Sequence, residues 1–190
     1  NKIKLNKSVL ILGSSPNLKL YKDKIRNFSL RKNLSNIAIN LNNTFDNDFI
    51  DYRVASHPRR IQIDCKFYNK YSNKFILPLN VINSKITAKI NFQNSKYFNY
   101  GIEISNNEKI FAKKDKCILP NYLSLGYALS LVISKNIKKI YLAGFEGFSN
   151  DDYAKDESNN LLRMFKKKFK KIKIISITPT KFNLKYLKLK

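Results

Sequence analysis

Acidic side chains are scarce in this chain: 13 Asp and Glu stand against 37 Lys and Arg, giving a formal charge of +24 over 190 residues. Histidine occurs once, at His57, and cysteine twice, at Cys65 and Cys117. Two cysteines without metal-type spacing exclude a disulfide scaffold and a zinc site of the usual kind, and they read as buried free thiols. Neither a metal nor a cofactor is expected. No apolar run approaches the ~20 residues of a membrane-spanning helix. Nor does the chain open on a basic segment followed by an apolar stretch and a small-residue cleavage site. These absences lead to the expectation of a cytoplasmic protein. The first residue is Asn1 rather than methionine, as expected of a processed protein or, more readily, of a segment of a longer polypeptide. A hydrophobic content of 43% suits one globular domain spanning 1–190.

The positive charge does not by itself point to nucleic acid, because lysine is spread along most of the chain together with Asn and Ile, as in the product of a very AT-rich genome. Two regions carry no acid at all, 1–22 and 158–190. The second contains the run Lys166-Lys167-Lys168-Phe169-Lys170-Lys171. Such a run reads as the solvated face of a helix, or as a contact for an anionic membrane surface, a partner or a phosphorylated ligand.

Strand and helix signals alternate. Ser8 to Leu12 is a short apolar strand running into Gly13-Ser14-Ser15-Pro16, and a helix is expected from Leu18 to Lys32. This is the opening half of a nucleotide-binding α/β unit: Gly13 permits a tight turn, Ser14 and Ser15 allow a ligand close to the backbone, and free N–H groups at the helix start can hold a phosphate. Asn36 to Leu41 and Asp51 to Ser56 are the next two strands, and their ends place Asn40 and Ser56 as candidates to bind a ribose or base. Arg59 and Arg60 follow the third strand; the arginine fork matches phosphate oxygens, so both are candidate phosphate ligands. Lys74 to Leu79 is a fourth strand, which Pro78 ends or confines to an edge.

Residues 80–120 carry short alternating segments and are expected to form small strands or an inserted lid. From Leu123 to Glu157 the pattern is clearest. Leu125, Leu129, Val132 and Ile133 mark one side of a helix ending near Asn136. Lys138 to Ala143 is a strand covered on both faces, and Gly144 ends it. The loop beyond gathers Glu146, Asp151, Asp152, Asp156 and Glu157. A helix from Asp156 to Phe169 and a strand from Lys173 to Ile177 complete the chain. Strand-then-helix order favours a Rossmann-like α/β fold, a mostly parallel sheet with helices on both faces.

Three of these motifs resemble those of the small bacterial sialyltransferases. VLILGSSPNL is similar to their GxGPSL-type opening turn, Asn40 matches a strand ending in Asn, and LSLGYALSLVISKNIKKIYLAGFEGF is similar to their long helix and IYLxGxDF strand end. The resemblance implies that Gly13, Ser14 and Ser15 approach the nucleotide, that Asn40 lies near the phosphate or ribose, and that Ser124 and Glu146 line the site. The pattern departs in three places: no histidine follows the acidic loop, Asn121 stands where the family has arginine, and the helix glycine is shifted to Gly126. A second resemblance covers the end of the chain. LAGFEGFSNDD and ISITPTKFN are similar to signatures of a domain at the carboxyl end of aldolase-like, hydroxymethylglutaryl-lyase-type proteins of bacterial surface-polysaccharide clusters.

The expectation from residues and resemblance together is a domain of bacterial capsule or lipopolysaccharide biosynthesis. It would bind a nucleotide-activated sugar or phosphosugar, with Glu146 or Asp151 as the base of a glycosyl transfer and Ser14, Asn40, Arg59 and Arg60 on the phosphate. The competing expectation is a non-catalytic accessory domain fused to an aldolase-type barrel. Specific nucleic-acid binding is not expected; a peripheral contact with anionic membrane is one of the alternatives left open by the lysine run.

Overall fold

The computed structural model describes residues 3–83, 86, 90, 97–106, 109–147 and 153–190, the side chains of 153–155 excepted. Eight strands form one sheet: β1 (Ser8–Leu12), β2 (Ser35–Ile39), β3 (Tyr52–Val54), β4 (Lys74–Leu77), β5 (Tyr97–Asn99), β9 (Lys139–Ala143), β10 (Lys173–Ser176) and β11 (Lys185–Tyr186). Their spatial order is β11-β10-β9-β1-β2-β3-β4-β5, and every pair is parallel. Three further strands, β6 (Gly101–Ile104), β7 (Phe111–Ala112) and β8 (Lys116–Leu119), make a small separate sheet in the order β6-β8-β7.

Helices α1 (Lys22–Lys32), α2 (Pro58–Tyr68), α3 (Ser124–Ser134) and α4 (Tyr153–Lys168) cover both faces. The side-chain alternation of the strands decides which face each takes. Leu10, Leu12, Ala38, Tyr141 and Ala143 pack with Ile25 and Phe28 of α1, and Phe75 and Leu77 pack with Ile61, Cys65 and Tyr68 of α2. Val9, Ile11, Ile37, Ile140 and Leu142 point the other way, against Leu129 and Val132 of α3 and Leu161 and Phe165 of α4. The small sheet joins that same side through Ile102, Cys117 and Leu119. The fold is therefore a doubly wound, Rossmann-like α/β sheet.

The expected elements fall close to the observed ones, but helix α2 (Pro58–Tyr68) occupies the place where only a strand-end loop holding Arg59 and Arg60 is expected, and three further differences stand out. The first helix is a 3-10 turn over Pro16–Tyr21 followed by α1; Pro16 supplies no N–H and the chain tightens there before the regular helix begins. Strand β4 stops at Leu77, before Pro78, and lies inside the sheet between β3 and β5. Strand β11, two residues long at the sheet edge, has no periodic signal to announce it. Part of the 80–120 section, namely 84–85, 87–89, 91–96 and 107–108, lies outside the described residues. Among the described residues, no helix is long and apolar enough to cross a membrane.

Candidate functional site

Strand order fixes where a site can form. From β1 the chain steps outward through β2, β3, β4 and β5, then returns to place β9 on the other flank of β1 before continuing to β10 and β11. The reversal lies between β1 and β9. Loops leaving those two strands diverge to opposite faces and leave a crevice at the strand ends, the usual ligand position in open α/β sheets.

The two strand ends are sewn together beyond the ladder. Gly13 N–H donates to Ala143 O at 2.8 Å and Ser15 N–H to Gly144 O at 3.2 Å. A side chain at Gly13 would place its Cβ 2.3 Å from Gly144 O, so the close approach requires glycine. Gly144 takes φ +76°, which lets the chain leave β9 directly into the loop holding Phe145, Glu146 and Gly147.

A cleft of about 620 Å³ opens over this seam. One wall is Gly13, Ser14, Ser15 and Pro16; the opposite wall is Phe145, Glu146 and Gly147 after β9. Asn40, His57 and Arg60 close it from the β2 and β3 side. Tyr122, Leu123 and Ser124 bring in the start of α3, and Ser158 and Phe182 form the far end. Helices α2 and α3 each follow or precede a strand antiparallel to themselves, so both aim their amino-terminal turns at the strand ends. Backbone N–H groups and the positive end of the helix dipole therefore meet the cleft from two helices. The Gly13 turn, contrary to expectation, keeps only the Ser14 N–H for a ligand, because those of Gly13, Ser15, Asn17 and Leu18 are bonded within the protein and Pro16 has none.

Several side chains are held in place. Ser15 Oγ accepts from Asn17 N–H at 3.3 Å, capping the 3-10 turn. Asn17 Nδ2 donates to Glu146 Oε2 at 2.9 Å, which fixes the carboxylate of Glu146 across the cleft from Ser14. Asn40 sits at φ +55°, its N–H donating to Val54 O at 2.8 Å. Its buried side-chain oxygen has no partner within the protein. An Asn strained in this way at a strand end, with an unused acceptor, suits a ligand hydroxyl or amino group.

The Gly13 turn also has a buried support. Asn42 donates its side-chain N–H to Gly13 O. The guanidinium of Arg53, 1% exposed, donates to Asn42 O at 2.9 Å and to Asn73 Oδ1 at 2.9 Å, and lies 4.4 Å from the centre of the Tyr71 ring. Burial pulls the Arg53 pKa below its ordinary value. Its neighbours are carbonyl oxygens and a ring face, so this cation is held by dipoles and serves the turn from beneath.

Of the residues expected at the site, Gly13, Ser14, Ser15, Asn40, Arg60, Ser124 and Glu146 meet at one cleft. Arg60 also pairs with the buried Asp64 one helical turn on, Nε to Oδ2 2.7 Å. Ser56 is fully buried; its hydroxyl donates to Tyr122 O at 2.7 Å and lies 3.2 Å from Ser124 Oγ, so it braces the start of α3 from behind. Arg59 is exposed on α2 and does not line the cleft. Asp151 and Asp152 lie outside the described residues. Sequence reasoning passed over Tyr122, Phe145 and Phe182, apolar walls contributed by loops with no motif of their own. His57, the amino-terminal flank of α2, packs its ring 5.9 Å from that of Tyr122. Among the described residues, no cluster of His, Cys, Asp and Glu could hold a metal ion.

Fold and cleft together define a doubly wound α/β domain with one crevice at its topological switch point. Comparisons with family models, with curated proteins and with solved structures return no match. The functional reading therefore rests on this geometry and on the motifs that built it.

Proposed function

We propose that the cleft binds a nucleotide-activated sugar or phosphosugar, and that the chain is a glycosyltransferase-like domain of bacterial surface-polysaccharide biosynthesis. The observation that carries the reading is the convergence of the Gly13 turn and the starts of α2 and α3 on one crevice of about 620 Å³ at the switch point. Backbone N–H groups and Arg60 suit a phosphate. Asn40 suits a hydroxyl or a base edge, and Tyr122, Phe145 and Phe182 give a ring a dry wall.

In a transfer, the acceptor hydroxyl oxygen attacks the anomeric carbon while the bond from that carbon to the phosphate oxygen breaks, and the leaving phosphate keeps the electron pair. Glu146 takes the hydroxyl proton as general base. The Ser14 N–H and the N–H groups at the starts of α2 and α3, with Arg60, receive the departing charge.

A thermal-shift series with CMP, UDP, GDP and their sugars tests the binding. A ligand held only by the native state at 100 times its Kd stabilises it by about 2.7 kcal/mol. A shift is expected with at least one nucleotide and its loss on Ser14→Glu, which puts bulk and negative charge against the phosphate position. No shift with any of them overturns the reading.

Glu146 is the one carboxylate among the described residues lining the cleft, and this favours a second reading: ligand binding without transfer, as an accessory domain fused to an aldolase-type barrel. An upstream reading frame encoding such a barrel, together with no nucleotide-sugar turnover by the chain, decides for it.

A further inference from the structure

Helix α4 buries Leu161, Leu162 and Phe165 and turns a second stripe outward. Asn159, Asn160, Arg163, Lys166 and Lys167 recur at three- and four-residue steps, which puts them on one face. That face is exposed, and the strap that follows β10 borders it along one side, with Lys166 Nζ donating to Asn183 O at 2.6 Å and Asn183 N–H to Asn159 Oδ1 at 3.4 Å. A groove of about 800 Å³ results, floored by α4 and walled by Lys181 and Asn183.

The strap is a shared wall. Phe182 faces the switch-point cleft while Lys181 and Asn183 on either side of it face the groove. On the helix, Ser158 lines the cleft and Asn159 the groove. Lys181 N–H donates to Glu146 O at 2.8 Å, which ties the groove wall to the residue read as the base. The groove therefore begins where the cleft ends.

Its chemistry is specific. Among the described residues Arg163, Lys166, Lys167 and Lys181 oppose a single carboxylate, Asp156, and none of the four cations is in an ion pair. Uncompensated cations gathered in a concave space raise the local concentration of anions. Three asparagine amides alternate with them and offer both donors and acceptors to hydroxyl groups. Among the described residues no aromatic ring lines the groove, so they offer no platform for stacking a nucleic-acid base. The cations lie in a concavity, and among the described residues no apolar side chain lines it apart from Leu162, which is buried; a surface that lies on a lipid headgroup layer instead presents apolar groups outward.

We infer that this groove is the acceptor subsite, holding an anionic oligosaccharide, carboxylated or phosphorylated, so that its terminal hydroxyl reaches Glu146. The assignment rests on the cleft reading above. It is tested on the full chain by titration with hexagalacturonate, with neutral maltohexaose, an unstructured oligonucleotide and phosphatidylglycerol vesicles as parallel ligands. Hexagalacturonate is expected to bind and maltohexaose to bind at least about tenfold more weakly. R163E with K167E is expected to weaken hexagalacturonate by at least about tenfold, since opposed charges are replaced by like ones, while Lys32→Glu on the far helix α1 changes it little. Circular dichroism of each variant confirms that it is folded. The assignment is overturned if hexagalacturonate does not bind, if Lys32→Glu weakens it as much as the double variant, or if the oligonucleotide or the vesicles bind more tightly through Arg163 and Lys167. A nucleotide shift without oligosaccharide binding removes the groove alone; oligosaccharide binding without a nucleotide shift removes the cleft reading and keeps an anionic-glycan site.

Discussion

Replacing Gly13 by alanine puts one carbon into the seam between β1 and β9, where it meets three atoms. The added methyl would lie 2.3 Å from Gly144 O, 3.0 Å from Gly144 C and 3.2 Å from the Phe145 ring. The first two are backbone, so no rotamer change relieves them. Restoring an ordinary contact of ~3.5 Å requires the strand ends to part by roughly 1 Å. That movement breaks the bonds from Gly13 N–H to Ala143 O and from Ser15 N–H to Gly144 O. Two hydrogen bonds at about 0.5–1.5 kcal/mol each, with an overpacking cost of about 1–3 kcal/mol, give a loss of roughly 2–6 kcal/mol. Against a total stability of about 5–15 kcal/mol this is severe. Urea unfolding followed by circular dichroism should show the midpoint fall by roughly 1–3 M at an ordinary slope, and nucleotide binding should go with it. A variant within about 1 kcal/mol of the parent that still binds its nucleotide would refute the argument that this seam needs glycine.

Gly126→Ala is the contrasting case. Its new methyl meets side-chain ends alone, Leu161 at 2.9 and 3.3 Å and Leu119 at 3.5 Å; a swing of the Leu161 side chain and the roughly 1 kcal/mol gain in helix propensity should leave the urea midpoint close to the parent's. Arg53→Met leaves two buried acceptors unpaired, Asn73 Oδ1 and Asn42 O, and should cost about 2–6 kcal/mol in the same unfolding experiment. Burial pushes the Cys117 thiol up to about 12, and burial likewise raises the hydroxyls of Tyr68, Tyr100 and Tyr127. The unfolded chain releases these protons first, so stability is full below the unfolded thiol value near 9 and falls as pH rises above it, by up to ~1.4 kcal/mol per pH unit per group. A urea midpoint unchanged between neutral and alkaline solution would contradict it. Glu146→Gln retains an acceptor for Asn17 but cannot take a proton; nucleotide binding should persist while transfer falls by about 10²–10⁴-fold in a donor-turnover assay.

Much of the fold was legible because its strands are buried on both faces. Leu10 and Ile11 point to opposite layers, and both must be apolar, so the strand reads as an unbroken run. The Gly13 turn was legible for the same physical reason that it works: small residues mark where one backbone must pass close to another. The cleft was readable only in part. Ser56 looked like a ligand group because it ends a strand, yet a donor at a strand end can equally well brace a neighbouring loop, and the Tyr122 carbonyl takes its hydrogen bond. Phe182 and Tyr122 come from connections whose course depends on packing far along the chain. The groove on α4 had a sequence signature, the lysine run, but the run alone reads as a solvated face; the strap from β10 that makes it concave is a tertiary event.

The pairing of β1 with β9 also carries a consequence for how the chain acquires its shape. Ser8 registers against Lys139 and Leu12 against Ala143, so a strand made at the beginning waits for one made near the end. Until then one edge of the apolar segment Val9-Leu10-Ile11-Leu12 is unpaired, beside β2, which forms from neighbouring sequence. Such non-local closure is slow, and an apolar edge left open meanwhile invites pairing between chains. The crevice floor is thus the last part of the sheet's centre to close, and a nascent chain stalled before Lys139 should aggregate through β1.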